Sequence, residues 1–151
     1  MNVFIVENSF AIRASLQAVL SDMAEIRVVG QAVNEAGAIE RIGMLMPDVV
    51  ILDLGLQSGS GVGVLENVKK FHDTIKVIVF THYTDESCIL RCKRAGADYF
   101  FDKNFQLMQL REVLWKWAHT DRLDSKFRLD NRFNAVSLDP IQQFALPQEL
   151  S

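Results

Sequence analysis

Cysteine is scarce, with only Cys88 and Cys92 in 151 residues. They lie four apart in a segment of helical pattern, so they do not form the spaced pairs of a disulfide framework, and buried free thiols are expected. No apolar stretch exceeds strand length, which excludes a membrane-crossing helix. The start Met1-Asn2-Val3-Phe4-Ile5-Val6 lacks the charged segment, long apolar segment and small-residue cleavage site of a secretory signal. A cytoplasmic protein with no membrane partner is expected. A surplus of positive charge is also missing. The 16 Lys and Arg stand against 19 Asp and Glu, net -3, and offer no concentrated basic surface to nucleic acid, so direct nucleic-acid binding is not expected. No glycine-rich loop follows the first apolar run, which disfavours a phosphatase or nucleotide-binding enzyme built on one. What remains, 49% hydrophobic and 23% charged, is the composition of one folded domain.

The pattern alternates between two periods. Val3 to Val6 is a strand-like run, followed by Ile12, Leu16, Val19, Leu20 and Met23 at helical spacing. Ile26, Val28 and Val29 begin a second unit, whose helix carries Ile39, Ile42 and Met46 and is ended by Pro47. Val49 to Leu52 predicts a third strand, Val62, Leu65 and Val68 a third helix, and Ile75 to Phe80 a fourth strand. Near-continuous apolar runs of this kind suit strands covered on both faces. Thr84 or Asp85 can cap a fourth helix that Gly96 stops, Tyr99 to Phe101 make a fifth strand, and Asn104 caps a last helix to about His119. Five strand-helix pairs predict a doubly wound α/β fold, a parallel sheet with helices on both faces joined by right-handed crossovers.

Parallel pairing puts the strand ends that feed the helices on one edge, where ligands gather in open sheets. The first strand ends in Glu7-Asn8, the third in Asp53, the fourth in Thr81, and the fifth reaches Lys103, while the second ends in the bland Ala32-Val33-Asn34. Taken singly, Asp53 reads equally well as a turn former and Thr81 as a β-branched strand end, and Lys103 reads better as a surface lysine. Together they place two acids, an amide, a hydroxyl and an amine on one edge.

The runs Phe4-Ile5-Val6-Glu7-Asn8-Ser9, Pro47-Asp48-Val49-Val50-Ile51-Leu52-Asp53-Leu54, Val77-Ile78-Val79-Phe80-Thr81 and Gly96-Ala97-Asp98-Tyr99-Phe100-Phe101-Asp102-Lys103, with Gly61 closing the loop after Asp53, carry a family likeness. Over residues 2 to about 119 the chain resembles the receiver domain of two-component response regulators, of the kind that resembles chemotaxis regulators. The resemblance implies a flavodoxin-like five-stranded sheet in the order 2-1-3-4-5 and a receiver over residues 1–119. It implies that Asp53 accepts a phosphoryl group from a sensor histidine kinase or phosphotransfer protein, that magnesium binds alongside, and that Thr81 and Lys103 contact the phosphoryl oxygens. The expected metal-side groups are Glu7, Asn8, Asp53 and the carbonyl of Gly55. Thr81 and Phe100 correspond to the residues that switch an interaction face for a downstream protein. Autodephosphorylation aside, no turnover enzyme is implied.

The physical chemistry agrees with that role. A carboxylate is a weak nucleophile and phosphoryl transfer is mostly positioning and charge neutralisation, so an acceptor needs a cation and fixed donors. The chain departs from the family at Glu7-Asn8, where two acids are usual. Asn8 falls where the directly metal-bound acid lies, and its amide oxygen coordinates without charge, so weaker magnesium binding and slower phosphorylation are expected. Gln57 replaces a usual proline, His82 a usual small residue, and Gly55 and Tyr83 stand at positions that vary with phosphoryl lifetime. A second reading is a pseudo-receiver, a protein-binding or dimerisation module without phosphate chemistry.

In the last helix Leu107, Leu110, Leu114 and Trp117 form one stripe, while Met108 and Trp115 lie on another. The second stripe is expected to be covered by a homodimer contact or the C-terminal segment. Residues 120–151 show no strand-helix alternation and no recognisable effector domain, yet Phe127, Phe133, Ile141 and Phe144 make them too apolar for a simple linker, and an arm or the stub of a removed effector is expected.

Overall fold

The computed structural model describes residues 1–123, the last three by backbone alone. Residues 124–151, and with them most of the expected arm, lie outside the described residues. Strands β1 (Asn2–Val6), β2 (Arg27–Ala32), β3 (Val49–Leu52), β4 (Lys76–Thr81) and β5 (Tyr99–Asp102) alternate with helices α1 (Phe10–Ser21), α2 (Glu35–Leu45), α3 (Gly61–Phe71), α4 (Glu86–Arg94) and α5 (Leu107–Leu123). The strands pair in parallel in the order β2-β1-β3-β4-β5, the doubly wound arrangement expected from the sequence.

The apolar runs divide by the period of the pleat. Phe4, Val6, Val50, Leu52, Val77, Val79 and Phe100 face a core completed by α2, α3 and α4. Their neighbours Val3, Ile5, Val49, Ile51, Ile78, Phe80 and Phe101 face the opposite core, completed by α1 and α5. That is why the strands read as unbroken hydrophobic runs. At about 25 cal/mol per Å² of apolar surface, this two-sided burial is the main force holding the helices to the sheet. Among the described residues no helix is long and apolar enough to cross a membrane.

Helix entries are set by side-chain caps. Ser9 accepts from the Ile12 N–H, Asn34 from Gly37, Ser60 from Val62 and, of the two candidates for α4, Asp85 from Cys88. Some boundaries differ from the sequence expectation, and α5 runs to Leu123, past the end expected near His119. Helix α2 ends at Leu45, and Met46 caps it in the left-handed region at φ 46°, so the turn precedes Pro47. Helix α5 begins at Leu107 and not at an Asn104 cap. The Asn104 N–H instead bonds Asp102 Oδ1 at 2.8 Å, and Gln106 reaches back to the Asp102 N–H at 2.8 Å, spending three residues on a turn before the helix starts. On α5, Leu110 and Leu114 are buried, Trp117 packs edge-on to Tyr99, and Met108 and Trp115 stay exposed, so the two stripes do part as expected.

The cysteines also part company, since Cys92 is fully buried while Cys88 is only half-buried, short of the burial expected for both. Burial pushes the Cys92 thiol up to about 12. Because the thiolate is the nucleophile, Cys92 should stay unlabelled by iodoacetamide in the native protein at mildly alkaline pH while Cys88 reacts slowly. Equal labelling of both before unfolding would contradict this packing.

Candidate functional site

Backbone pairing assembles the site before any side chain takes part. The Asp53 N–H bonds the Val6 carbonyl at 2.9 Å and the Lys103 N–H bonds the Thr81 carbonyl at 3.0 Å, extending the sheet by one residue at its carboxyl edge. Glu7, Asp53, Thr81 and Lys103 are thereby brought from four strands to one place, and all four side chains are buried.

Lys103 Nζ lies 2.6 Å from Glu7 Oε2 and 2.9 Å from Asp53 Oδ2. The other oxygen of Asp53 accepts from the Thr81 hydroxyl at 3.0 Å and from the Gly55 N–H at 3.3 Å. The other oxygen of Glu7 accepts from the Ser9 N–H at 3.0 Å. Every carboxylate oxygen therefore has a donor, and the set of two carboxylates and one ammonium carries a formal charge of -1. Burial pushes the Glu7 carboxyl above the usual carboxylate range; the Lys103 and Ser9 bonds pull against that rise and the charge of Asp53 adds to it.

The loop after Asp53 is folded tightly back on the acceptor. A Cβ on Gly61 would lie 2.1 Å from the Asp53 carbonyl oxygen, so only glycine permits the Gly61 N–H to bond Leu54 O at 3.1 Å. Gly55 pairs with Ser60 across this loop, and the ring of Tyr83 lies over Gly55, within 2.8 Å of where a Cβ would stand. The two variable positions seen in the sequence thus touch each other. His82 is exposed beside them.

Asn8 is exposed, and its carbonyl, like that of Glu7, accepts from Arg13 Nη1. That use of Arg13 was not visible in the sequence, where it reads as one charged residue on an amphipathic helix. Phe100 is buried among the residues packed under α3 and α4.

The Glu7 and Asp53 carboxylates, gathered around Lys103, are oxygen donors of the kind a hard divalent cation takes, while the Asn8 side chain is exposed. With an amide at position 8, the acids stop at two, and among the described residues no group of three or more His, Cys, Asp or Glu gathers to hold a metal. Magnesium keeps several waters and does not require a full protein cage, so two carboxylate donors fit such an ion.

A family model described as the response regulator receiver domain matches residues 3–114. The response regulator protein VraR of Staphylococcus saprophyticus is 29% identical over 116 residues, covering 77% of this chain and 56% of that protein. The DNA-binding transcriptional activator DevR/DosR of Mycobacterium tuberculosis is 27% identical over 149 residues, covering 99% of this chain and 66% of that protein. The chain thus spans between about half and two thirds of the length of these relatives. Among solved structures, the response regulator domain of Thermotoga maritima CheB has the same fold, with a TM-score of 0.69 at 24% identity, over 80% of this chain and 94% of that one.

The charge arrangement has a consequence for stability. Glu7 ionises at higher pH in the folded chain than in the unfolded one, so its contribution is fully present below the ordinary carboxylate range and is lost as pH rises through the raised value. Removing Lys103 takes away the largest influence opposing that rise and widens the loss. Lys103→Met should therefore cost about 3 kcal/mol at neutral pH, as expected when one partner of a buried ion pair is deleted, and less in acid. Urea midpoints at both pH values measure this, and an equal cost in both would contradict the charge account.

Proposed function

The chain belongs to the response regulator receiver domain family, and on that premise we propose that it accepts a phosphoryl group on Asp53 from a histidine kinase or phosphotransfer protein. The observation that carries this reading is the placement of Lys103 and Thr81 on opposite oxygens of the Asp53 carboxylate. In the transfer, a carboxylate oxygen of Asp53 attacks phosphorus, the new P–O bond forms as the P–N bond to the donor imidazole breaks, and the imidazole leaves with the electron pair and takes up a proton. Lys103 and Thr81 are then free to donate to the phosphoryl oxygens, replacing bonds they make to Asp53 in the unmodified protein. Magnesium, held by Asp53, Glu7, the Asn8 amide oxygen and the Gly55 carbonyl, would supply charge neutralisation for the phosphoryl oxygens. With an uncharged amide at position 8, both magnesium affinity and the rate of phosphorylation fall below those of a receiver with two acids after β1.

The Thr81 hydroxyl already lies on Asp53 and Phe100 is already buried. A phosphoryl group would hold the hydroxyl in that place with a stronger, charge-assisted bond, favouring the arrangement with the ring inward. The output is a protein contact on the face formed by α4, β5 and α5, where Leu90, Met108 and Trp115 are exposed. We assign the receiver to residues 1–119, with its last helix α5 running on to Leu123, and read the rest of residues 120–151 as an arm that docks on this receiver, a second copy or a partner. The setting is cytoplasmic two-component signalling, with no catalytic turnover beyond loss of the chain's own phosphoryl group.

Intact mass after incubation with acetyl phosphate and magnesium tests the assignment. The wild type should gain one phosphoryl group, and Asp53→Asn, or removal of magnesium, should abolish the gain. A wild type that never gains mass would favour the other reading, a protein-binding module without phosphate chemistry.

A further inference from the structure

Glu35, the first residue of α2, shows no functional pattern in the sequence, yet its side chain makes one of the contacts that tie the loop after Asp53 to the rest of the fold. Its carboxylate Oε2 accepts from the Ser60 N–H at 2.8 Å, and its own N–H donates to the Ser58 carbonyl at 3.1 Å. A third bond, from the Gln57 N–H to the Val33 carbonyl at 3.0 Å, completes a seam between the loop before α2 and the loop before α3. The side chain fits a slot that only glycine leaves open. A Cβ on Gly59 would lie 2.4 Å from Glu35 Cβ, and one on Gly63 would lie 2.1 Å from Glu35 Oε1. Gly59 also sits at φ 76°.

Ser60 is the point at which this seam meets the site. It caps α3 through its hydroxyl, it pairs with Gly55 across the loop, and it precedes Gly61, which packs directly against the Asp53 backbone. The path from carboxylate to acceptor is thus a short series of hydrogen bonds and close contacts, Glu35 to Ser60, Ser60 to Gly55 and Gly61, and those to Asp53. Without a bond to Glu35, the Ser60 N–H would have to find water, and the loop would be free to lift from Gly55.

We propose that Glu35 is a positioning residue of the phosphoryl site, fixing the course of the loop from Gly55 to Gly61 and so the Gly55 carbonyl beside Asp53. Its metal-side consequence rests on the receiver reading given above. The effect works by hydrogen-bond geometry. Glutamine at position 35 keeps an acceptor oxygen for the Ser60 N–H and should keep the loop in place, whereas alanine should not.

The test uses the full chain and combines amide hydrogen exchange with magnesium titration in the wild type, Glu35→Gln, Glu35→Ala and Gly63→Ala. In Glu35→Ala the Ser60 amide should exchange at least tenfold faster and magnesium affinity should fall by about tenfold, the scale of lost outer-shell support at a metal site. Glu35→Gln should stay within about threefold of the wild type in both, because a neutral acceptor preserves the bond. Gly63→Ala, whose methyl would displace the carboxylate, should resemble Glu35→Ala, and the two changes together should be no worse than either alone. Unchanged Ser60 exchange in Glu35→Ala would overturn the proposal, as would faster exchange spread evenly over the whole fold or a Gln variant as impaired as the Ala variant. If the wild type itself binds no magnesium and takes no phosphoryl group, while Ser60 exchange rises only in Glu35→Ala and Gly63→Ala, the receiver reading fails and the hold of Glu35 on the loop stands.

Discussion

One buried ammonium shared by two buried carboxylates organises the functional edge of this molecule. Lys103 Nζ stands within 3 Å of both Glu7 and Asp53 while its side chain is 3% exposed. An isolated charge at that depth is prohibitively costly, so each of the three groups is tolerable only because the others are there. The parallel sheet makes the meeting possible: β1, β3 and β5 end at the same edge, and their pairing aligns the residue just beyond each strand. Remove the register and the carboxylates have no common counter-ion.

The same triad explains how an amide is accommodated at position 8. With two carboxylates and one amine the site keeps a formal charge of -1, enough to attract a cation without leaving an unpaired buried acid in its absence. Glu7, a methylene longer than aspartate, is turned inward and held by Lys103 and the Ser9 N–H. Asn8 is exposed. Glu7 is therefore both a structural partner of Lys103 and the second acid available to a metal, and these roles compete, since a cation bound to Glu7 weakens its hold on the amine. That competition, added to the missing charge at position 8, is the basis for proposing that magnesium binds weakly.

Much of this was legible in the sequence, for identifiable reasons. Strand and helix periods differ, and β1, β3, β4 and β5 are buried on both faces, so the five strand-helix pairs and the sheet order followed from hydrophobic pattern and family likeness. The functional groups lie at the ends of those strands, Glu7, Asp53 and Thr81 one residue and Lys103 two residues past the last apolar position, and inherit the same legibility. The inward turn of Glu7 did not follow, because pattern fixes where a backbone goes and leaves the rotamer open. The start of α5 was misplaced because Asp102 and Gln106 satisfy the backbone of the intervening turn from outside the usual cap position. Glu35 was missed for a third reason. Its contact with Ser60 spans 25 residues between two loops, and a glutamate in the first turn of a helix is ordinary chemistry for the helix dipole.

On the proposed function, Glu7 supplies the carboxylate that position 8 does not. Calorimetric titration of magnesium into the wild type, Glu7→Gln and Asn8→Asp tests it most directly. Binding should be weak but measurable in the wild type, lost or sharply reduced in Glu7→Gln, and strengthened in Asn8→Asp. Magnesium affinity that survives Glu7→Gln unchanged would contradict it.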